Sequence, residues 1–136
     1  MSAAALPIRG LNHIGRLTKH LEASIAFYRD VLGFAEIARP PFDFPGAWLF
    51  NYGVQIHLIV NESIPDAHGE IQTRDAHWAF EVDDLEAVEC RLDEHGIPYR
   101  KNIVAATDRK QIFFRDPDGH HIEVGVYATS VVQHQQ

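Results

Sequence analysis

Four side chains combine the types and the spacing needed to hold one divalent metal ion: His13, His57, His77 and Glu123. The chain has nine histidines, and a histidine standing alone on a strand is more often a hydrogen-bonded residue than a ligand. Repetition singles these out. His13 lies in Leu11-Asn12-His13-Ile14-Gly15, and His77 lies 64 positions on, in Asp75-Ala76-His77-Trp78-Ala79. His57 closes Gly53-Val54-Gln55-Ile56-His57, and Glu123 closes Gly119-His120-His121-Ile122-Glu123, 66 positions on. Imidazole with carboxylate suits Zn²⁺, Ni²⁺, Co²⁺, Fe²⁺ or Mn²⁺. It does not suit a dedicated Ca²⁺ site, which takes oxygen ligands throughout. Four such ligands on an octahedral ion leave room for two substrate oxygens, where the metal polarises a carbonyl or stabilises an enolate.

Two copies of one chain plan must carry these residues. Eight positions after each first histidine the same triplet begins, Leu21-Glu22-Ala23 and Leu85-Glu86-Ala87, and Gly33 and Gly96 follow at an offset of 63. Leu21, Ile25, Tyr28 and Leu32 form one apolar stripe at helical spacing, and Leu85, Val88 and Leu92 form another. Asp83 and Glu86 have capping-box spacing, and each glycine suits the left-handed position that ends a helix. Strands are expected at about 10–16, 34–39, 47–52 and 54–60, then at about 75–82, 98–104, 110–115 and 121–127. Side chains alternate along a strand, so His57 shares a face with Gln55 and Ile59, and Glu123 shares one with His121 and Gly125. The opposite faces are clean apolar rows. The plan is βαβββ twice, an α+β fold whose two modules form a curved, incomplete barrel of mixed sheet with the polar face concave. Residues 1–136 read as a single domain: module 1 at about 9–60, a polar exposed linker at 61–74, module 2 at about 75–127 and a frayed tail at 128–136.

Composition narrows the partners. Lys+Arg is 12 against Asp+Glu 19, a net charge of −7, which argues against nucleic acid or an anionic membrane surface. No apolar run is long enough to span a bilayer, and Met1–Arg9 lacks the features of a secretory signal. Cys90 is the single cysteine, so a disulfide framework is excluded, and a cytoplasmic location is expected. Cys90 falls mid-helix near the apolar stripe and is expected to be packed.

With these motifs in place, the sequence resembles the vicinal oxygen chelate superfamily, which includes glyoxalase I, bleomycin-resistance proteins, extradiol dioxygenases, methylmalonyl-CoA epimerase and fosfomycin-modifying thiol transferases. The resemblance covers about residues 9–127 and rests on Leu11-Asn12-His13-Ile14, Ser24–Phe34, Asp75–Phe80 and Phe113–Val124. It implies metal ligands at His13, His77 and Glu123. At the position of His57, glyoxalase I has a glutamate or glutamine and the epimerase a glutamine. The dioxygenases and fosfomycin enzymes use three protein ligands. Histidine there departs from all these patterns: it keeps a donor but removes a carboxylate, leaving Glu123 as the one candidate base. The resemblance also implies a homodimer, with modules exchanged in several members so that one metal takes two ligands from each chain.

The favoured function is a glyoxalase-I-like lyase or isomerase acting on a small molecule, a thiol adduct of a 2-oxoaldehyde, with Glu123 moving the proton. Trp48, Arg115 and His121 are the candidate substrate contacts: an aromatic wall, an anion partner and a neighbour of Glu123. Alternatives are an Fe²⁺ extradiol-type dioxygenase, with His121 and Tyr127 as its supporting histidine and tyrosine, a fosfomycin-type thiol transferase, and a metal-free drug-binding protein that stacks a flat ligand on Trp48, Phe42, Phe44 and Trp78.

Overall fold

The expected strand–helix–three-strand order appears twice in the computed structural model, which describes residues 2–66, 68–107 and 109–127. Module 1 runs β1 (His13–Thr18), α1 (Leu21–Ala26), β2 (Ala35–Ile37), β3 (Gly46–Asn51) and β4 (Val54–Val60). Module 2 runs β5 (His77–Glu81), α2 (Leu85–Glu94), β6 (Tyr99–Val104), β7 (Arg109–Arg115) and β8 (His121–Gly125). The expected tail at 128–136 lies outside the described residues.

Each module is a four-stranded sheet, ordered β1-β4-β3-β2 and β5-β8-β7-β6. The first and last strands of each module run parallel, and the other neighbours are antiparallel. The helix is what permits this, because a parallel return needs a crossover rather than a hairpin. The sheets are mixed, as expected, and do not close into a barrel.

Local chemistry explains where elements start and stop. α2 begins one residue later than the capping-box spacing suggested: Asp84, not Asp83, accepts hydrogen bonds from the amides of Glu86 (3.0 Å) and Ala87 (3.3 Å). α1 widens into a π-helical turn at Phe27–Val31, where the Leu32 amide reaches back to the Phe27 carbonyl (3.3 Å). The glycine after each helix has positive φ, +81° at Gly33 and +68° at Gly96. β8 ends at Gly125, short of the expected 127, because Tyr127 folds back across it. Cys90, expected to be packed, is exposed, since Leu85, Val88 and Leu92 alone carry the inward face of α2.

One core serves both modules. Leu49, Ile56 and Leu58 from the first sheet and Ile112, Phe114, Ile122 and Val124 from the second join Ile25, Phe27, Tyr28 and Leu92 of the helical segments. Each such side chain contributes about 1.5–3 kcal/mol by leaving water. Two faces look onto this core, so the opposite face of each sheet looks away from it.

A turn of module 2 pins the modules together. Within Asp116-Pro117-Asp118-Gly119, Asp118 accepts from the Lys19 amide (2.7 Å) and from the Ser24 hydroxyl (3.0 Å). Asp116 accepts from the Tyr28 phenol (2.7 Å). His120 Nε2 reaches the Leu17 carbonyl at 2.8 Å. Among the described residues, no helix is long and apolar enough to cross a membrane.

Candidate metal centre

The four candidate ligands occupy equivalent places in the two sheets. Gly15 pairs with His57 and Ala79 pairs with Glu123, so each first-strand histidine lies one diagonal step from the last-strand ligand. His13 and His57 stack with ring centroids 3.9 Å apart. His77 Nε2 stands 3.4 Å from Glu123 Oε1. The structure therefore gathers the four as two pairs, one on the outer face of each sheet. Among the described residues no third histidine, cysteine or carboxylate joins either pair to make a metal-binding group.

Hydrogen bonds orient each ring. His77 Nδ1 sits 2.7 Å from the Asp75 carbonyl. A carbonyl only accepts, so Nδ1 carries a proton and Nε2 is the nitrogen turned toward Glu123. His13 Nδ1 meets the Asn12 side-chain oxygen at 2.7 Å, which leaves Nε2 as its candidate donor to a metal. His57 Nε2 meets the Gln55 oxygen at 2.9 Å, leaving Nδ1 as its donor to a metal. Burial lowers the His57 pKa, and the nearby His13 and Arg39 lower it further, so His57 suits neutral imidazole. This is how metal-ligating histidines are held, with the second nitrogen fixed by an acceptor.

Glu123 is 7% exposed and has a second partner. The Tyr127 phenol donates to Glu123 Oε2, leaving Oε1 toward His77. Burial, then the hydrogen bond and charge of Glu123, push the Tyr127 pKa well up, so the phenol stays a donor. Gly125 makes this fold-back possible: a β-carbon there would lie 2.9 Å from the Tyr127 ring.

The candidate substrate contacts divide. Trp48 is at the site, stacked on His57 with centroids 4.0 Å apart and planes 3° from parallel. Arg115 donates to the Gly69 carbonyl. His121 is buried and accepts from the Gln72 amide (3.0 Å). Burial lowers the His121 pKa, with Arg115 and His77 assisting against Asp75. Arg100 donates to the Ile71 carbonyl (2.9 Å). Arg115, Arg100 and His121 thus strap the linker across the outer face of the second sheet. A cleft of about 890 Å³ opens between the modules, lined by apolar groups including Ile14, Val31, Tyr52, Trp78 and Phe80, and holds none of the four ligands.

Some partners were beyond sequence reading. Asn12 precedes its histidine directly and is a readable signal, but the Asp75 acceptor is a main-chain carbonyl that any residue supplies. Arg39, which stands over the Phe42 and Phe44 rings at 5.0 Å from each centroid, lies outside the repeated motifs.

Residues 10–124 match the model of the glyoxalase/bleomycin resistance protein/dioxygenase superfamily. The chain is 38% identical over 125 residues to Glyoxylase I 4 of Arabidopsis thaliana, covering 88% of this chain and 71% of the relative. It is 35% identical over 124 residues to the metallothiol transferase FosB of Staphylococcus epidermidis, covering 86% and 83%. Among solved structures, a glyoxalase family protein from Bacillus anthracis superposes with a TM-score of 0.71 at 25% identity, over 90% of this chain and 98% of that one. The fosfomycin resistance protein FosX of Listeria monocytogenes shares the fold with a TM-score of 0.76 at 20% identity, over 93% and 98%.

Proposed function

Because the chain belongs to the glyoxalase/bleomycin resistance protein/dioxygenase superfamily, we propose that it is a divalent-metal-dependent, glyoxalase-like lyase or isomerase. Its substrate in this reading is a small molecule with two neighbouring oxygens, a thiol adduct of a 2-oxoaldehyde. One observation carries the metal: His77, its ring oriented by the Asp75 carbonyl, brings Nε2 to 3.4 Å from Glu123 Oε1, an imidazole nitrogen and a carboxylate oxygen turned to one place. His13 and His57 would supply the other two donors, and neutral imidazoles with one carboxylate suit Zn²⁺, Ni²⁺, Co²⁺, Fe²⁺ or Mn²⁺. When bound, the ion supplies Lewis acidity to the two substrate oxygens.

The chain's own groups do the rest. Glu123, the one carboxylate of the set, moves the proton between the two carbons as general base. The Tyr127 phenol holds Oε2 and fixes the carboxylate plane. Trp48 backs His57 and walls the substrate side.

The two pairs face away from one core, so the reading includes a homodimer. His13 and His57 of one chain meet His77 and Glu123 of the partner subunit, and the reverse. The free edges of β1 and β5 and the apolar cleft beside them support this contact.

A second reading, thiol transfer onto an epoxide antibiotic, is supported by the likeness to metallothiol transferase FosB. Elemental analysis followed by paired assays decides. Stoichiometric metal with turnover of methylglyoxal plus glutathione is expected. Turnover of fosfomycin plus a thiol instead selects the second reading, and absence of metal defeats both.

A further inference from the structure

The loop between β2 and β3 displays two large rings that the chemistry above does not use. Phe42 and Phe44 are 45% and 42% exposed. They stack on each other with centroids 5.2 Å apart and planes 16° from parallel. The Arg39 guanidinium lies over both rings and donates to the Phe44 carbonyl at 2.7 Å, so cation–π contact and a hydrogen bond hold the pair in place. The pair is also continuous with the candidate metal centre. Phe42 stands 6.0 Å from Trp48, Trp48 4.0 Å from His57, and His57 3.9 Å from His13. Five rings thus run from the exposed loop to the metal-binding pair.

We propose that Phe42 and Phe44 form a subsite for a planar apolar group of the substrate, an aromatic or conjugated ring attached beside the two metal-binding oxygens. The assignment rests on the metal reading above and deepens it by naming a substrate class. A substrate with only a methyl group beside its oxygens has no ring to lay on this pair. One bearing a ring extends over Phe42 and Phe44, which Arg39 already holds in place, so little ordering opposes binding.

The test uses two chelators that present the same pair of oxygens, acetohydroxamate and benzohydroxamate, titrated calorimetrically into the zinc-loaded protein. Benzohydroxamate is expected to bind about tenfold more tightly than acetohydroxamate, the scale of one added aromatic contact. In the double variant Phe42→Ala/Phe44→Ala, which alters only exposed rings, that preference should fall to about threefold or less, with acetohydroxamate binding unchanged. Equal binding of the two chelators by the wild type, or an undiminished preference in the variant, overturns the subsite. Dissociation of the variant into smaller species on sedimentation assigns the rings to a subunit contact and overturns it too. If the protein takes up no zinc, or neither chelator binds, the metal reading fails and the subsite falls with it.

Discussion

Replacing Tyr28 by phenylalanine tests how the two modules are held in register. Tyr28 is fully buried, and its phenol donates to Asp116 Oδ2 at 2.7 Å. The other carboxylate oxygen takes the amides of Asp118 and His120, each at 2.9 Å. The substitution removes one donor and almost no volume. A hydrogen bond to a charged group contributes about 1.5–3 kcal/mol, and one between neutral groups about 1 kcal/mol. Burial raises the Asp116 pKa, although the bonds from Tyr28 and the turn amides oppose it. The folded chain therefore holds the Asp116 proton more tightly than the unfolded chain does. The stability linked to that proton is complete below the ordinary carboxylate range and is lost as pH rises through the raised value. Losing the Tyr28 phenol raises Asp116 further, so the deficit of the variant must grow across the same window. We expect about 1 kcal/mol where Asp116 is protonated and about 2–3 kcal/mol at neutral pH. Urea titrations at about pH 3 and about pH 7.5 measure both, at one protein concentration because association adds to apparent stability. An equal deficit at the two pH values, or one under about 0.5 kcal/mol at neutral pH, refutes the reasoning.

Further tests address the metal centre. His77→Ala and Glu123→Ala should each abolish stoichiometric metal by elemental analysis, and retained metal in either would remove the assignment. His13→Ala and Glu123→Ala chains, each metal-free alone, should regain about a quarter of wild-type metal when unfolded and refolded together, because half of the dimers are hybrids with one intact site. No recovery argues that the ligands do not come from two chains. Gly125→Ala should displace the Tyr127 ring from Glu123 and weaken metal binding by about tenfold or more in a competition titration with a chromophoric chelator. Unchanged affinity would show that Tyr127 does not support the carboxylate.

The repeat carried much of this architecture into view. Alternation along β4 and β8 put His57 and Glu123 on the outer faces, and the equal offsets put His13 and His77 at matching places. What pattern did not reveal was that the two faces turn apart. That depends on Tyr28, Phe34 and Trp78 meeting in one core, a long-range packing outcome with no periodicity of its own. Arg115 was read as a substrate contact for its charge, and His121 because it shares the face of Glu123. Their involvement with Gly69 and Gln72 comes from the path of the linker, which is polar and mostly exposed and carries no regular signal. The Asp83 and Asp84 caps differ by one residue, and either side chain satisfies the same local chemistry.

The wide turn in the first helix takes up one residue that the matching stretch of the second half lacks. Twelve steps separate Leu21 from Gly33, and eleven separate Leu85 from Gly96. Both ends of the first helix are docked, so a surplus residue could be absorbed only by dilating the spiral, which it does between Phe27 and Val31. Excising one residue there would restore ordinary winding and rotate what lies on one side of the cut by about 100° relative to the other. Tyr28 and Leu32 could then no longer both keep their bearings. The residue by which the two spacings differ is part of the joint between the halves, and an alignment of the halves without a gap at this point would misassign the phenol that joins them.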